Sequence, residues 1–368
     1  MLPGPSWAGS FADWEEPRSP VADLQRFQGS NMSRFCGRPL YAAAGAFANL
    51  PNQSQWRYFT LLNEGRSITF KDGQLNGPIF HADFSMANCT ITRQRLFVSN
   101  PEQRRWVSHN TAFLQPRSGG LLGWGGQHGR IHPDGVLKIV WNKTNSSYAE
   151  RDRPTSPWSA PRSAFNGYHP GCIEWRVKGF YIARNGNVTA CEYDGRLSAV
   201  EFKSAVLLYA RANVLPHGGG RFAQVTLSHD TERWTPFRPI VVQDYRPAAA
   251  NMYFFSVQLH PFDANRLVAL FPLVVDETAR GCVAMSCSSD GWQWSAPTTL
   301  RTCDARGARA LAHPVQNGLT VSGVGVHVFI HENVQGIAAA GTAASIVRID
   351  IPHATFARWS SHHCSRRV

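Results

Sequence analysis

Residues 221–237 read RFAQVTLSHDTERWTPF, and this stretch decides the fold. Arg221–Leu227 alternates so that Ala223, Val225 and Leu227 share one face, the two-residue period of an extended strand. The strand gives way to Ser228-x-Asp230, with Trp234 four residues after the Asp, then a small residue and Pro. The same grammar returns in residues 288–297, SSDGWQWSAP, where Trp294 again stands four residues after Asp290. A looser copy, SNPEQRRW, runs from Ser99 to Trp106, and WSAP occurs at both Trp158 and Trp294. Trp106, Trp158, Trp234 and Trp294 are 52, 76 and 60 residues apart. Spacing of that size is the arithmetic of four-stranded units repeated with insertions.

Working outward, short β-rich runs bounded by turn residues recur, among them RSITF, RLFVS, VLKIV, SAVLLYARA, NMYFFSVQL, RLVALFPLVV, VGVHVFI and SIVRIDI. Sustained helical periodicity is missing. The expected fold is all-β, a β-propeller of four-stranded blades, with five blades preferred and six the alternative. Residues 1–35, rich in Pro, Ser, Gly and acidic groups, read as an irregular N-terminal arm, and 36–368 as a single propeller domain. Of the 368 residues 43% are hydrophobic and only 17% charged, which excludes disorder as the main state. No run of about 18 apolar residues exists, so no transmembrane helix is expected.

The formal net charge is +12, from 37 Lys plus Arg against 25 Asp plus Glu. Only five of those cations are Lys, and the Arg residues are scattered instead of forming a patch. Nucleic-acid binders concentrate their charge, so that class is set aside. Arg grips planar carboxylates with a rigid fork, which suits an anionic ligand. Six N-x-Ser/Thr acceptors begin at Asn31, Asn52, Asn88, Asn142, Asn145 and Asn187, and eight cysteines form an even set. Both point to a secretory or extracellular setting. The opening MLPGPSWAGSFADWEEP shows neither the cationic nor the apolar part of a signal peptide. No C-x-x-C pair occurs, so neither a structural metal nor a cofactor is expected.

The Ser-x-Asp…Trp segments resemble the Asp-box, a hairpin turn of sialidases and related propellers. Here the two clear copies are one residue shorter than the usual box, and only the second carries a Gly, Gly291. In such a turn the Asp accepts from backbone amides while the Trp buries its rings between sheets. The role is structural, so Asp230 and Asp290 are not expected to be catalysts.

The preceding stretch, 191–220, reads CEYDGRLSAVEFKSAVLLYARANVLPHGGG. An extended Glu192–Arg196 segment sets Glu192, Asp194 and Arg196 on one side, and Arg211 and Arg221 flank one Gly-rich hairpin. Its order is similar to the sialidase pattern of a catalytic Glu, an Asp-Gly turn, an Arg strand and an Asp-box. That resemblance implies Glu192 as the activating carboxylate and Arg211 with Arg221 as carboxylate-binding groups, and order along the chain offers Tyr253 as nucleophile and Asp83 as acid/base. A full arginine triad is not matched, since no Phe-Arg-Ile-Pro segment stands near the start.

Polar residues also open several apolar strands: His81 and Asp83, His109 and Asn110, Asn251 and Tyr253, and His313. With the 192–196 segment these make five openings, one per blade, where the innermost strands would feed a central funnel. His169 and Glu174, in YHPGCIEWR, are further candidates. The expected activity is a sialidase-like glycoside hydrolase acting on an acidic or polar glycan. The alternatives are a non-catalytic propeller that binds a glycan or a protein, and a five-bladed glycosidase using Asp83, Glu174 and Glu192 with no arginine triad. The expected partner is carbohydrate.

Overall fold

The computed structural model describes residues 25–26, 31–33, 57–62, 67–71, 79–85, 90–98, 111–114, 116–117, 122–125, 137–140, 162–163, 196–213, 221–245, 251–274, 282–301, 312–323, 325–332 and 345–364. They are almost entirely β-strand, and they fall into successive four-stranded antiparallel units. The first comprises Arg57–Leu62, Ser67–Lys71, Ile79–Ser85 and Thr90–Val98. The second comprises Ala112–Leu114, Leu122–Gly125, Leu137–Val140 and Arg162–Ser163. Ser198–Phe202, Ala205–Asn213, Arg221–Ser228 and Arg238–Pro239 form the third. The fourth runs Ser256–His260, Asp263–Val274, Cys282–Ser288 and Thr298–Arg301.

The last unit has a different origin for its outer strand. His313–Ser322, Gly325–Glu332 and Ser345–Pro352 pair in order, and Asn31–Ser33 closes the sheet against Arg348–Asp350. Gln25–Arg26 likewise lies parallel to Thr298–Thr299 on the fourth unit. The segment expected to be an irregular arm thus carries two short strands.

The first strands of neighbouring units meet each other. Ser198 Oγ accepts from the Val257 amide at 2.8 Å, and the Gln258 side chain bonds both Leu319 O (2.6 Å) and Leu319 N (3.0 Å). Gln316 pairs in parallel with Thr60. First strands are therefore innermost, and fourth strands lie outside.

Two-residue alternation explains how the units stack. On the third unit Val200, Phe202, Leu207 and Tyr209 join Phe255, Val257, Leu267 and Phe271 of the fourth in one core. The intervening residues Leu197, Ala199, Val206 and Leu208 point the other way, against Ala112 and Trp124 of the second. The fourth unit repeats this: Val268, Leu270, Val283 and Met285 pack with Val326, Val328, Ile349 and Ile351 of the last. Each central sheet is buried on both faces, which is why the run Leu267–Phe271 is apolar at every position.

The two Ser-x-Asp turns have one geometry at two places. Asp230 Oδ1 accepts from Glu232 N and Arg233 N at 2.9 and 2.8 Å; Asp290 Oδ1 accepts from Trp292 N and Gln293 N at 2.7 and 2.8 Å. Those amide bonds, with the Arg233 side chain, hold the Asp230 carboxyl well below the usual carboxylate range. The residue after each Asp takes a positive φ, 61° at Thr231 and 79° at Gly291, so glycine relieves the strain only in the second copy. The two tryptophans bridge neighbouring sheets. Trp234 meets Trp124 edge-on at 6.2 Å, and Trp294, fully buried, meets Tyr209 at 6.1 Å and Phe255 at 4.8 Å.

Among the described residues one α-helix, His353–His363, follows the last strand and buries Phe356, Trp359 and Ser360. Trp359 Nε1 donates to Thr298 Oγ1 at 2.9 Å, and Cys364 is disulfide-bonded to Cys287, 77 positions earlier. A loop of that length is worth about 4–5 kcal/mol in the chain-entropy picture. Among the described residues no helix is long and apolar enough to cross a membrane.

Candidate functional site

The entries to the innermost strands of the third, fourth and last units converge on one buried cluster. Arg196 stands just before Ser198–Phe202 and is 5% exposed. Its Nε donates to Gln316 Oε1 at 3.1 Å, and Gln316 Nε2 donates to Leu197 O at 2.9 Å, tying the third unit to the last. Arg211, also 5% exposed, lies one strand further out, with its guanidinium carbon 5.1 Å from the Tyr253 ring centre. Arg196 sits 5.7 Å from the ring of Phe254. His313 stacks on Tyr253 at 5.2 Å and meets Phe254 edge-on at 5.3 Å. Cation–π and ring-stacking contacts of this kind contribute roughly 0.5–2 kcal/mol each when desolvated.

Gln316 reaches the cluster through a distortion of its own strand. The pairing register of His313–Ser322 with its partner shifts between Pro314 and Leu319, and Asn317 has φ 54°. An unpaired bulge re-aims the neighbouring side chain. The Asn317-Gly318 dipeptide, ordinarily a turn signal, is what marks it in the sequence. Sequence reasoning passed over Gln316 and Phe254 for want of that register.

His313 is 2% exposed, and neither ring nitrogen has a hydrogen-bond partner among the described residues. Burial, and secondarily the Arg196 charge, pulls its pKa down to about 3. The imidazole is therefore neutral wherever the protein is folded above that pH. The sign of the stability effect follows. Below about pH 6.5 the unfolded chain protonates this ring while the folded chain does not. Its contribution is complete above that value and declines as pH falls toward 3. At pH 5 the deficit is about 2 kcal/mol. Denaturant unfolding at pH 7 and pH 5 should show His313→Gln losing about 2 kcal/mol less than the parent chain over that interval.

Of the sequence-derived candidates, Arg196, Arg211, Tyr253 and His313 come together. Arg221 begins the third strand of its unit, opposite Asn213, and Asn251 pairs with Val274 on the fourth. Asp83 does not open an innermost strand. It lies on Ile79–Ser85, the third strand of the first unit, between Ser67 and Thr92. Two inter-strand steps of about 4.8 Å separate that strand from the innermost one. Glu192, Asp194, His109, Asn110 and Glu174 fall outside the described residues, as does His169.

The sequence matches no protein-family model and no curated protein. Solved structures do match. The catalytic domain of the Coprinopsis cinerea GH62 α-L-arabinofuranosidase is 8% identical, covers 89% of this chain and 97% of its own, and superposes with a TM-score of 0.50. An α-L-arabinofuranosidase from Podospora anserina, solved with cellotriose, is 8% identical over 86% of this chain and 96% of its own, with a TM-score of 0.51. At such identity the likeness is one of fold. The chain thus has the propeller-type fold of these glycoside hydrolases.

Proposed function

We propose that the protein is a glycoside hydrolase built on a five-bladed propeller and acting on a polar glycan. The observation that supports this most is the convergence of Arg196, Arg211, Tyr253, Phe254, His313 and Gln316 from three successive units. Residues brought from distant parts of a chain to the entries of innermost strands are what a propeller uses to bind ligand near its axis. Tyr253, the half-buried ring of the cluster, would meet a sugar with its exposed edge and hydroxyl, and the buried groups behind it hold it in place.

The carboxyl pair of the reading is Glu192 and Asp194. At no more than about 3.6 Å per residue, their α-carbons stay within roughly 14 and 7 Å of that of Arg196, so both are tethered to the cluster. One protonates the leaving oxygen and the other supports attack on the anomeric carbon. Tyr253, half-buried beside Arg211, orients the sugar or serves as nucleophile. The six acceptor sequences and the Cys287–Cys364 bridge favour a secretory or extracellular setting for this work.

The test is release of reducing sugar by the purified protein from neutral arabinofuranosides and from uronate- or sialate-bearing glycans. Turnover of either supports the enzyme. Binding with no product makes the protein a non-catalytic glycan module, and neither binding nor turnover overturns the assignment. Arg211→Met separates the substrate classes. Loss of about 1.5–3 kcal/mol of binding to an acidic glycan, set against little change on a neutral one, identifies Arg211 as a carboxylate clamp.

A further inference from the structure

At the far end of the strand that begins with His313, roughly 30 Å away at 3.3 Å per residue, a second polar constellation stands. Ser322 Oγ lies 2.7 Å from His327 Nε2, and His327 Nδ1 lies 2.6 Å from Asp350 Oδ1. We infer that Ser322, His327 and Asp350 form a second catalytic site, which hydrolyses carboxylic esters through an acyl-serine intermediate.

The strand register makes the arrangement. His327 stands directly between Thr320 and Asp350 on three adjacent strands, and Ser322 lies two residues beyond Thr320, at the hairpin. The order of contacts is the productive one for nucleophilic catalysis. The hydroxyl faces Nε2, while the carboxylate accepts a hydrogen bond from Nδ1–H and so fixes the tautomer that leaves Nε2 free to accept. Asp350 is itself held by Arg348, whose Nε and Nη2 meet its two oxygens at 2.6 and 3.0 Å. Burial alone would raise the Asp350 pKa, but the hydrogen bonds from Arg348 and His327 outweigh it and hold the carboxyl below its usual range. It therefore stays ionised to support an imidazolium.

The surroundings suit an ester. Gly323 follows Ser322 directly on an exposed turn, with open space where a Cβ would stand. The two exposed large apolar side chains among the described residues, Phe262 (50%) and Val321 (40%), belong to this end of the innermost strands. His353 packs on Phe262 at 5.3 Å and donates from Nε2 to Ser322 O at 3.0 Å, which fixes the backbone beside the serine.

In the reaction Ser322 Oγ bonds the ester carbonyl carbon while its proton passes to His327 Nε2. The carbon–alkoxy bond then breaks and the alcohol leaves with that proton. Water attacks the acyl-serine, gives one proton to His327, and the acid departs as Oγ takes the proton back. The balance needs only ester and water.

The full chain is treated with a fluorophosphonate, which phosphonylates activated serines, and the adduct is mapped by peptide mass spectrometry. Hydrolysis of p-nitrophenyl butyrate is followed in parallel. We expect the adduct on Ser322, none in Ser322→Ala, and ester turnover in that variant reduced to the level of free imidazole. Asp350→Asn, as a positioning change, should slow labelling by about a hundredfold or more and move its pH profile. His327→Gln should abolish labelling if it folds. An unlabelled Ser322 in folded protein, or labelling as fast in Asp350→Asn as in the parent, overturns the proposal. Sugar release is untouched by either result.

Discussion

Trp294→Ala is expected to cost roughly 3–5 kcal/mol of folding stability, the range for deleting a buried aromatic side chain. The residue is fully buried and touches both sheets it separates, Tyr209 of the third unit and Phe255 of the fourth. Neither neighbour can collapse into the space easily. Tyr209 is pinned by its hydroxyl, which donates to Gly291 O at 2.7 Å, and Phe255 is packed on Phe271 at 5.1 Å. Thermal or urea unfolding would show the loss, and near-ultraviolet dichroism would report loosened aromatic packing. An unchanged midpoint would mean that the face-to-face stacking of these sheets is not what holds them.

Glu192→Gln is expected to lower sugar release by about 10²–10⁴-fold while leaving folding and glycan retention in place. The amide keeps the size of the carboxyl group but can neither give nor take the proton at the scissile bond. Because Arg196 is fixed by Gln316 and Phe254, the preceding segment has a firm anchor, and the substitution should not propagate into the core. Turnover and equilibrium binding measured on the same preparation separate a catalytic loss from a binding loss. Wild-type turnover in this variant would remove Glu192 from the mechanism.

The sheet rhythm was legible in the sequence because its signals are local. Asp230 to Trp234 and Asp290 to Trp294 need only a few residues to state a turn, and the structure gives both the same hydrogen bonds. Arg196, Tyr253 and His313 were legible for a related reason, since each opens an apolar strand. The same reasoning misplaced Asp83. A polar residue at the head of an apolar run looks alike whether the strand is first or third in its sheet, because alternation reports face and not rank. Asn31–Ser33 has three residues and no period to read, so its pairing with Arg348–Asp350 was invisible. The alignment of Ser322, His327 and Asp350 depends on cross-strand register, which a hairpin and a long connection conceal.

The sheet closed by Asn31–Ser33 has a consequence for how the protein is made. Its outer strand leaves the ribosome early and finds its partner only when Arg348–Asp350 has been synthesised. Until then the edge of the early segment is unsatisfied, and pairings of such long sequence separation form slowly. This sheet is therefore completed only after the whole of the intervening chain has been made.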